Sequence, residues 1–109
     1  MAAFDDFMKL DIRVGTIQEV EFFEKAKKKA YKLVINFGEE VGIKKSSAQI
    51  TDCYNELDLI GKQILGIVNF PPKQIADFIS EVLVLGVYTD KGIVLITPAQ
   101  VVKEGSKLG

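Results

Sequence analysis

The chain has 109 residues, enough for one domain that buries roughly 65% of its unfolded surface in a single core. With 14 Lys+Arg against 15 Asp+Glu the formal net charge is −1, which argues against a globally basic nucleic-acid binder and against a disordered polyelectrolyte. There is no His and only one cysteine, Cys53, so imidazole catalysis, His-ligated metals, an intrachain disulfide and a cysteine zinc site are excluded.

The N-terminus, MAAFDDFMKLD, is acidic and lacks the apolar region of a signal peptide. Phe4, Phe7 and Met8 recur at i, i+3, i+4, and Asp5 and Asp6 suit a helix N-terminus, so residues 4–9 are predicted as one amphipathic turn. Residues 10–22 alternate as a strand with a change of phase between Leu10/Ile12/Val14 and Ile17; a β-bulge at Gly15 is expected to switch the inward face. Residues 23–29 are a charged loop. Tyr31, Leu33, Ile35 and Phe37 at period 2 mark a second strand over 30–37, and GEEVG turns into a third over 43–50. These two strands should pair as a hairpin.

Over 51–61, Tyr54, Leu57 and Leu59–Ile60 form a helical stripe, with Thr51 or Asp52 as cap and Gly61 as stop. Residues 62–70 read as a largely buried strand ended by Pro71–Pro72, and 73–79 as an irregular connection. Strands follow at 81–88 and 92–97 around the turn Thr89-Asp90-Lys91-Gly92, with a short one at Val101–Val102. The longest uncharged stretch, Gly92 to Val102, has 11 residues, against the ~18 of a membrane span, so no membrane insertion is expected. The lone thiol and the missing leader point to the cytoplasm. Three strands, a short helix and further strands follow the order of a five-stranded oligonucleotide/oligosaccharide-binding (OB) barrel: an all-β fold with short helices, one domain over residues 1–109. An SH3-like barrel or an α+β roll is the competing architecture.

Residues 25 to 45 contain seven lysines against two glutamates, so the near-neutral total hides a local concentration of charge. Lys25, Lys27, Lys28, Lys29 and Lys32 form its core, and the expected hairpin brings Lys44 and Lys45 near. Such a cluster suits phosphate contact, and it equally suits a solvated loop. Asn69, Ser80 and Glu81 stand at strand ends, where they can hydrogen-bond a peptide backbone or a sugar-phosphate, or close turns of the barrel. Phe37 and Tyr54 fit the core, whereas Phe78, in a polar stretch, is the better candidate for an exposed contact. Lys44–Lys45 beside Ser46–Ser47 is no Ser-Lys pair, because neighbours on a strand face opposite ways. No catalytic, metal or cofactor pattern is present, and a non-enzymatic binding protein is expected. Ile93-Val94-Leu95-Ile96 is continuously apolar and needs cover on both faces. Phe4, Phe7, Met8, Ile93 and Leu95 are therefore expected in a symmetric dimer interface built from both chain ends, the alternative being that they cover their own barrel.

Five strings in order resemble the tRNA-binding domain family: Asp11-Ile12-Arg13-Val14-Gly15, Lys32 to Gly38 (KLVINFG), Lys44 to Thr51 (KKSSAQIT), Asn69 to Ala76 (NFPPKQIA) and Ser80 to Gly86 (SEVLVLG). The likeness spans about residues 5 to 108 and is nearest to the small stand-alone branch, the CsaA-type secretion chaperones. It implies an OB barrel dimerising through its terminal extensions. It also implies binding of unfolded or export-bound polypeptides, a link to the export machinery, or recognition of tRNA by shape. The family's cleft positions match Ser47, Asn69, Lys73, Ser80 and Glu81. Asp77 stands where members more often have Gly, and Ile79 where a basic residue is common. With Lys32, Lys44, Lys45 and Phe78, these residues are expected to form one peptide- or tRNA-binding groove, polypeptide capture being the leading reading and tRNA binding the second.

Overall fold

The computed structural model describes residues 1–109. A short helix, α1 (Phe4–Met8), leads into the long strand β1 (Ile12–Phe22), followed by β2 (Tyr31–Asn36), a helical turn α2 (Gly38–Val41) and β3 (Ile43–Ala48). After α3 (Glu56–Leu59) come β4 (Gln63–Ile67), the hairpin β5 (Lys73–Ile75) and β6 (Phe78–Ser80), then β7 (Leu83–Val84), β8 (Gly86–Thr89) and β9 (Gly92–Leu95). Five strands in the order β3-β2-β1-β4-β7 form one antiparallel sheet. The sheet curls until residues 80–82 meet β3, giving a nearly closed OB barrel.

That seam is held mostly by side chains. Ser46, fully buried, donates its hydroxyl to the Val82 carbonyl at 2.8 Å. The Ser47 N–H donates to Ser80 Oγ at 3.0 Å, and the Lys45 N–H to Glu81 Oε1 at 3.0 Å. One backbone bond joins them, from the Glu81 N–H to the Lys45 carbonyl at 2.8 Å. A strand too short to pair along its length is stitched to its neighbour by hydroxyl and carboxylate groups, so the edge carries no row of open donors and acceptors.

Two cores result. Inside the barrel Ile17, Leu33, Ile35, Phe37, Leu59 and Ile64 are almost wholly buried, each contributing roughly 1.5–3 kcal/mol. Outside it, Ile12, Val14, Leu65 and Ile67 form a second cluster, covered by Phe7, Leu10, Leu85 and Ile96. This second core revises the reading of β1. The expected bulge at Gly15 is absent: residues 12–16 pair with β4 without interruption, Gly15 opposite Ile64. The apolar phase changes there because both faces are buried, Ile12 and Val14 outward against the terminal segments and Ile17 inward. The irregularity lies between Ile17 and Glu19, where the register against β2 shifts.

Other boundaries also moved. The cap of α3 is Asn55, whose side chain accepts from the Asp58 N–H at 2.9 Å, rather than Thr51 or Asp52; Leu59 is buried while Leu57 and Ile60 are exposed. Residues 73–79 are a hairpin with a two-residue turn, Ala76-Asp77, in which Ala76 takes the left-handed φ of 53°. The strand expected over 81–88 breaks at Leu85, whose N–H turns to the Leu65 carbonyl at 2.9 Å. No strand forms at Val101–Val102. Instead the tail runs back along β1, with hydrogen bonds from Val14 N–H to Ser106, Gly105 N–H to Val14 and Leu108 N–H to Ile12.

Candidate ligand groove and basic surface

Two surfaces meet at the β5–β6 hairpin. On one side lies a groove of about 580 Å3 between the hairpin, the end of β3, β7 and the β8–β9 hairpin. Ile50, Ile75, Val84 and Ile93 make its apolar walls, and Ser47, Lys73, Ser80 and Glu81 its polar rim. Lys73 is placed there by pairing with Ser80 across the hairpin. The hydroxyl of Ser47 makes no hydrogen bond within the chain, whereas the polar atoms of Ser80 and Glu81 are engaged in the barrel seam.

On the other side is the basic surface. Period-2 pairing of β2 with β3 sets Lys32 opposite Ser47, and Val34 opposite Lys45, on the outer face. The Lys32 ammonium lies 5.0 Å from the centre of the Phe23 ring and 5.6 Å from that of Phe78, with the Lys45 ammonium 5.5 Å from Phe78. Phe23 and Phe78 meet edge to face at 5.4 Å. Phe78 is thus half-buried between two cations rather than a free platform. Lys27, Lys28 and Lys29 are exposed and have no ion-pair partner, but Lys25 donates to Asp77 Oδ2 at 2.7 Å. The hydrogen bond from Lys25 is the main reason the Asp77 carboxyl titrates below its ordinary value, with Lys32 adding to it, and the same bond raises Lys25.

Several expected site residues lie elsewhere. Asn69 faces the N-terminal segment: its Oδ1 accepts from the Asp11 N–H at 2.9 Å and its Nδ2 donates to the Lys9 carbonyl at 2.9 Å. A polar group at the end of a buried strand had two possible partners, and the segment before β1 reaches it first. Lys44, opposite Ile35, has the reverse orientation to Lys45 and is absent from the groove lining. Leu95 turns into the barrel core, only 6% exposed, and Ile93 packs beside it, so Val87, Tyr88 and Val94 are the exposed apolar side chains of that hairpin. On α1, Phe4 and Met8 are exposed and Phe7 covers the second core. Sequence reasoning missed Phe23 as part of the basic surface and noted Asp77 only as a departure from the family pattern, without its partner; Phe78, which meets Phe23, and Lys25, which meets Asp77, lie far away in the chain.

A larger hollow of about 960 Å3 surrounds Arg13. Its polar groups serve the fold: Arg13 donates to Asp11 at 2.6 Å, to Glu40 at 3.0 Å and to the Gly105 carbonyl at 3.0 Å, fastening the tail. Cys53, half-buried, contacts the Lys91 carbonyl through Sγ at 3.6 Å. No helix is long and apolar enough to cross a membrane.

The chain is similar to solved structures and to part of a longer enzyme. A structure of the CsaA chaperone protein from Picrophilus torridus is 55% identical and superposes with a TM-score of 0.96, covering 100% of both chains. The chaperone CsaA from Bacillus anthracis str. Ames is 51% identical with a TM-score of 0.93, over 100% of this chain and 99% of that one. The methionine–tRNA ligase of Parabacteroides distasonis is 37% identical over 108 residues, 96% of this chain, but the chain spans only 15% of that enzyme's length. The family described as "Putative tRNA binding domain" matches residues 12–107, and the chain belongs to this family of tRNA-binding OB domains, in its CsaA-like form.

Proposed function

We propose that the protein is a non-enzymatic binding module that holds unfolded or export-bound polypeptide in extended form in the groove beside β5–β6. The observation that carries this is the groove itself: apolar walls of Ile50, Ile75, Val84 and Ile93, with an uncommitted hydroxyl on Ser47 and the ammonium of Lys73 at the rim. Apolar walls supply affinity without sequence readout, and rim donors suit peptide carbonyls. The high identity to two chaperones supports the same reading. The exposed Phe4, Met8, Val87, Tyr88 and Val94 support a homodimer. Two grooves on one dimer would add avidity for a long chain. Action in the cytoplasm, beside the export machinery, fits this reading.

A second reading, tRNA binding, is favoured by Lys27, Lys28, Lys29, Lys32 and Lys45 on the surface adjoining the groove, and by the family match. Salt separates the two. RNA affinity should fall with a log–log slope of roughly 0.7–0.9 per phosphate neutralised, while apolar peptide capture should hardly change. Anisotropy titrations with an unfolded precursor peptide and with tRNA, each at two salt concentrations, test both. Binding of neither ligand defeats both readings. Light scattering tests the dimer, which fails if the mass stays near the 12.1 kDa of one chain.

A further inference from the structure

We propose that Asp77 is a built-in competitor for RNA phosphate: its carboxylate occupies Lys25 and thereby keeps one cation of the basic surface out of phosphate contact. The inference rests on the tRNA reading and identifies the residue that sets how strongly that surface attracts a polyanion.

The geometry is specific. The Lys25 ammonium donates to Asp77 Oδ2 at 2.7 Å, the distance of a charge-assisted hydrogen bond. Both side chains are open to solvent, 68% and 58% exposed, so Lys25 would face an approaching polyanion if Asp77 did not hold it. The pair is also positioned by the fold rather than met by chance. Asp77 sits at the tip of the β5–β6 hairpin, in a two-residue turn whose other residue, Ala76, holds a left-handed φ of 53°. The neighbouring Phe78 packs on Phe23 at 5.4 Å, which fixes the hairpin against the loop that carries Lys25. Around the pair, Lys27, Lys28 and Lys29 have no ion-pair partner, and Lys32 and Lys45 lie over the Phe78 ring. Asp77 is the only carboxylate in ion-pair contact with a lysine of this cluster.

An RNA phosphate and the Asp77 carboxylate present the same chemistry to an ammonium: anionic oxygens in hydrogen-bond reach. While Asp77 holds Lys25, an approaching backbone releases no counterion there, and Lys25 adds nothing to the salt dependence. Removing the carboxylate charge restores the contact.

The test is a double-mutant cycle on unfractionated tRNA, reading affinity by anisotropy across a salt series. Asp77→Asn should steepen the slope of log affinity against log salt by about 0.7–0.9 and tighten binding roughly sixfold at about 0.1 M salt, the value such a slope implies when extrapolated from 1 M. Lys25→Gln alone should leave the slope nearly unchanged. Lys25→Gln in the Asp77→Asn protein should return it to the wild-type value. Both positions are exposed, and unchanged melting curves should accompany every variant. If Asp77→Asn leaves the slope unchanged, or if Lys25→Gln costs the same in both backgrounds, the proposal is overturned while the tRNA reading stands. If wild type and Asp77→Asn both fail to bind tRNA at low salt, the reading falls and takes the proposal with it.

Discussion

The Phe37 ring lies where a side chain on Gly15 would be: a Cβ there would sit 2.8 Å from two of its ring carbons and 2.6 Å from Ile35 Cγ2. Phe37 is fully buried at the end of the β2 period, so it cannot move aside into solvent. Gly15→Ala should therefore destabilise the barrel by about 1–3 kcal/mol through overpacking. Urea denaturation should show a lower midpoint with an unchanged slope.

The opposite sign is expected at Ala76. A non-glycine residue at φ 53° carries strain of about 1–2 kcal/mol, and glycine gives back about 0.5–1 kcal/mol of it in unfolded-state entropy. Ala76→Gly should raise stability by about 0.5–1 kcal/mol, measured in the same urea experiment.

Asn69 is expected to act on the terminal segment and not on the ligand. Asn69→Ala removes its two hydrogen bonds to Lys9 and Asp11, worth about 1–2 kcal/mol together. Hydrogen exchange should quicken at residues 4–11, while peptide affinity stays as in the wild type. A loss of peptide affinity with unchanged exchange would return Asn69 to the groove.

Tyr31 gives the pH dependence. Its phenol is buried, donates to the Tyr54 carbonyl at 2.8 Å and feels Glu56 and Asp58, so its pKa is raised, by burial first and then by those charges. A pKa raised in the folded state gives stability that is whole below the unfolded value and lost as pH climbs through the folded one. The melting temperature should fall above about pH 10, and Tyr31→Phe should remove that alkaline fall while starting about 1 kcal/mol less stable.

Much of the barrel was legible because its signals are local. Tyr31, Leu33, Ile35 and Phe37 alternate without error since only one face of β2 is buried, and that strand lies where expected. β1 misled for the opposite reason. Its outer face is covered by α1, Leu85 and Ile96, so Ile12 and Val14 are buried as well as Ile17, and a one-sided alternation rule turns double burial into a bulge. The actual irregularity, beside Gln18, shows only as the step from Ile17 to Val20, which pack on the same core with opposite parity.

The site was legible by residue type and not by direction. Lys44 and Lys45 are alike in sequence, and only the register with β2 decides which joins Phe78. Asn69, Ser80 and Glu81 were read as cleft residues or as groups closing the barrel end, and the groups they meet on Lys9, Asp11, Lys45 and Ser47 lie far along the chain. Lys25 and Asp77, 52 positions apart, could not be paired by any local rule.

The tail bonded along β1 sets an order of events during synthesis. Val14 exchanges hydrogen bonds with Gly105 and Ser106, and Ile12 accepts from Leu108. Residues 12–14 of β1, paired with β4 on one side, therefore lack their second neighbour until residues 105–108 are in place. Contacts between such distant positions close the longest loop the chain contains, and loops of that kind slow folding. The outer core around Ile12 and Val14 should thus close later than the barrel, exposed to other chains until residues 105–108 dock.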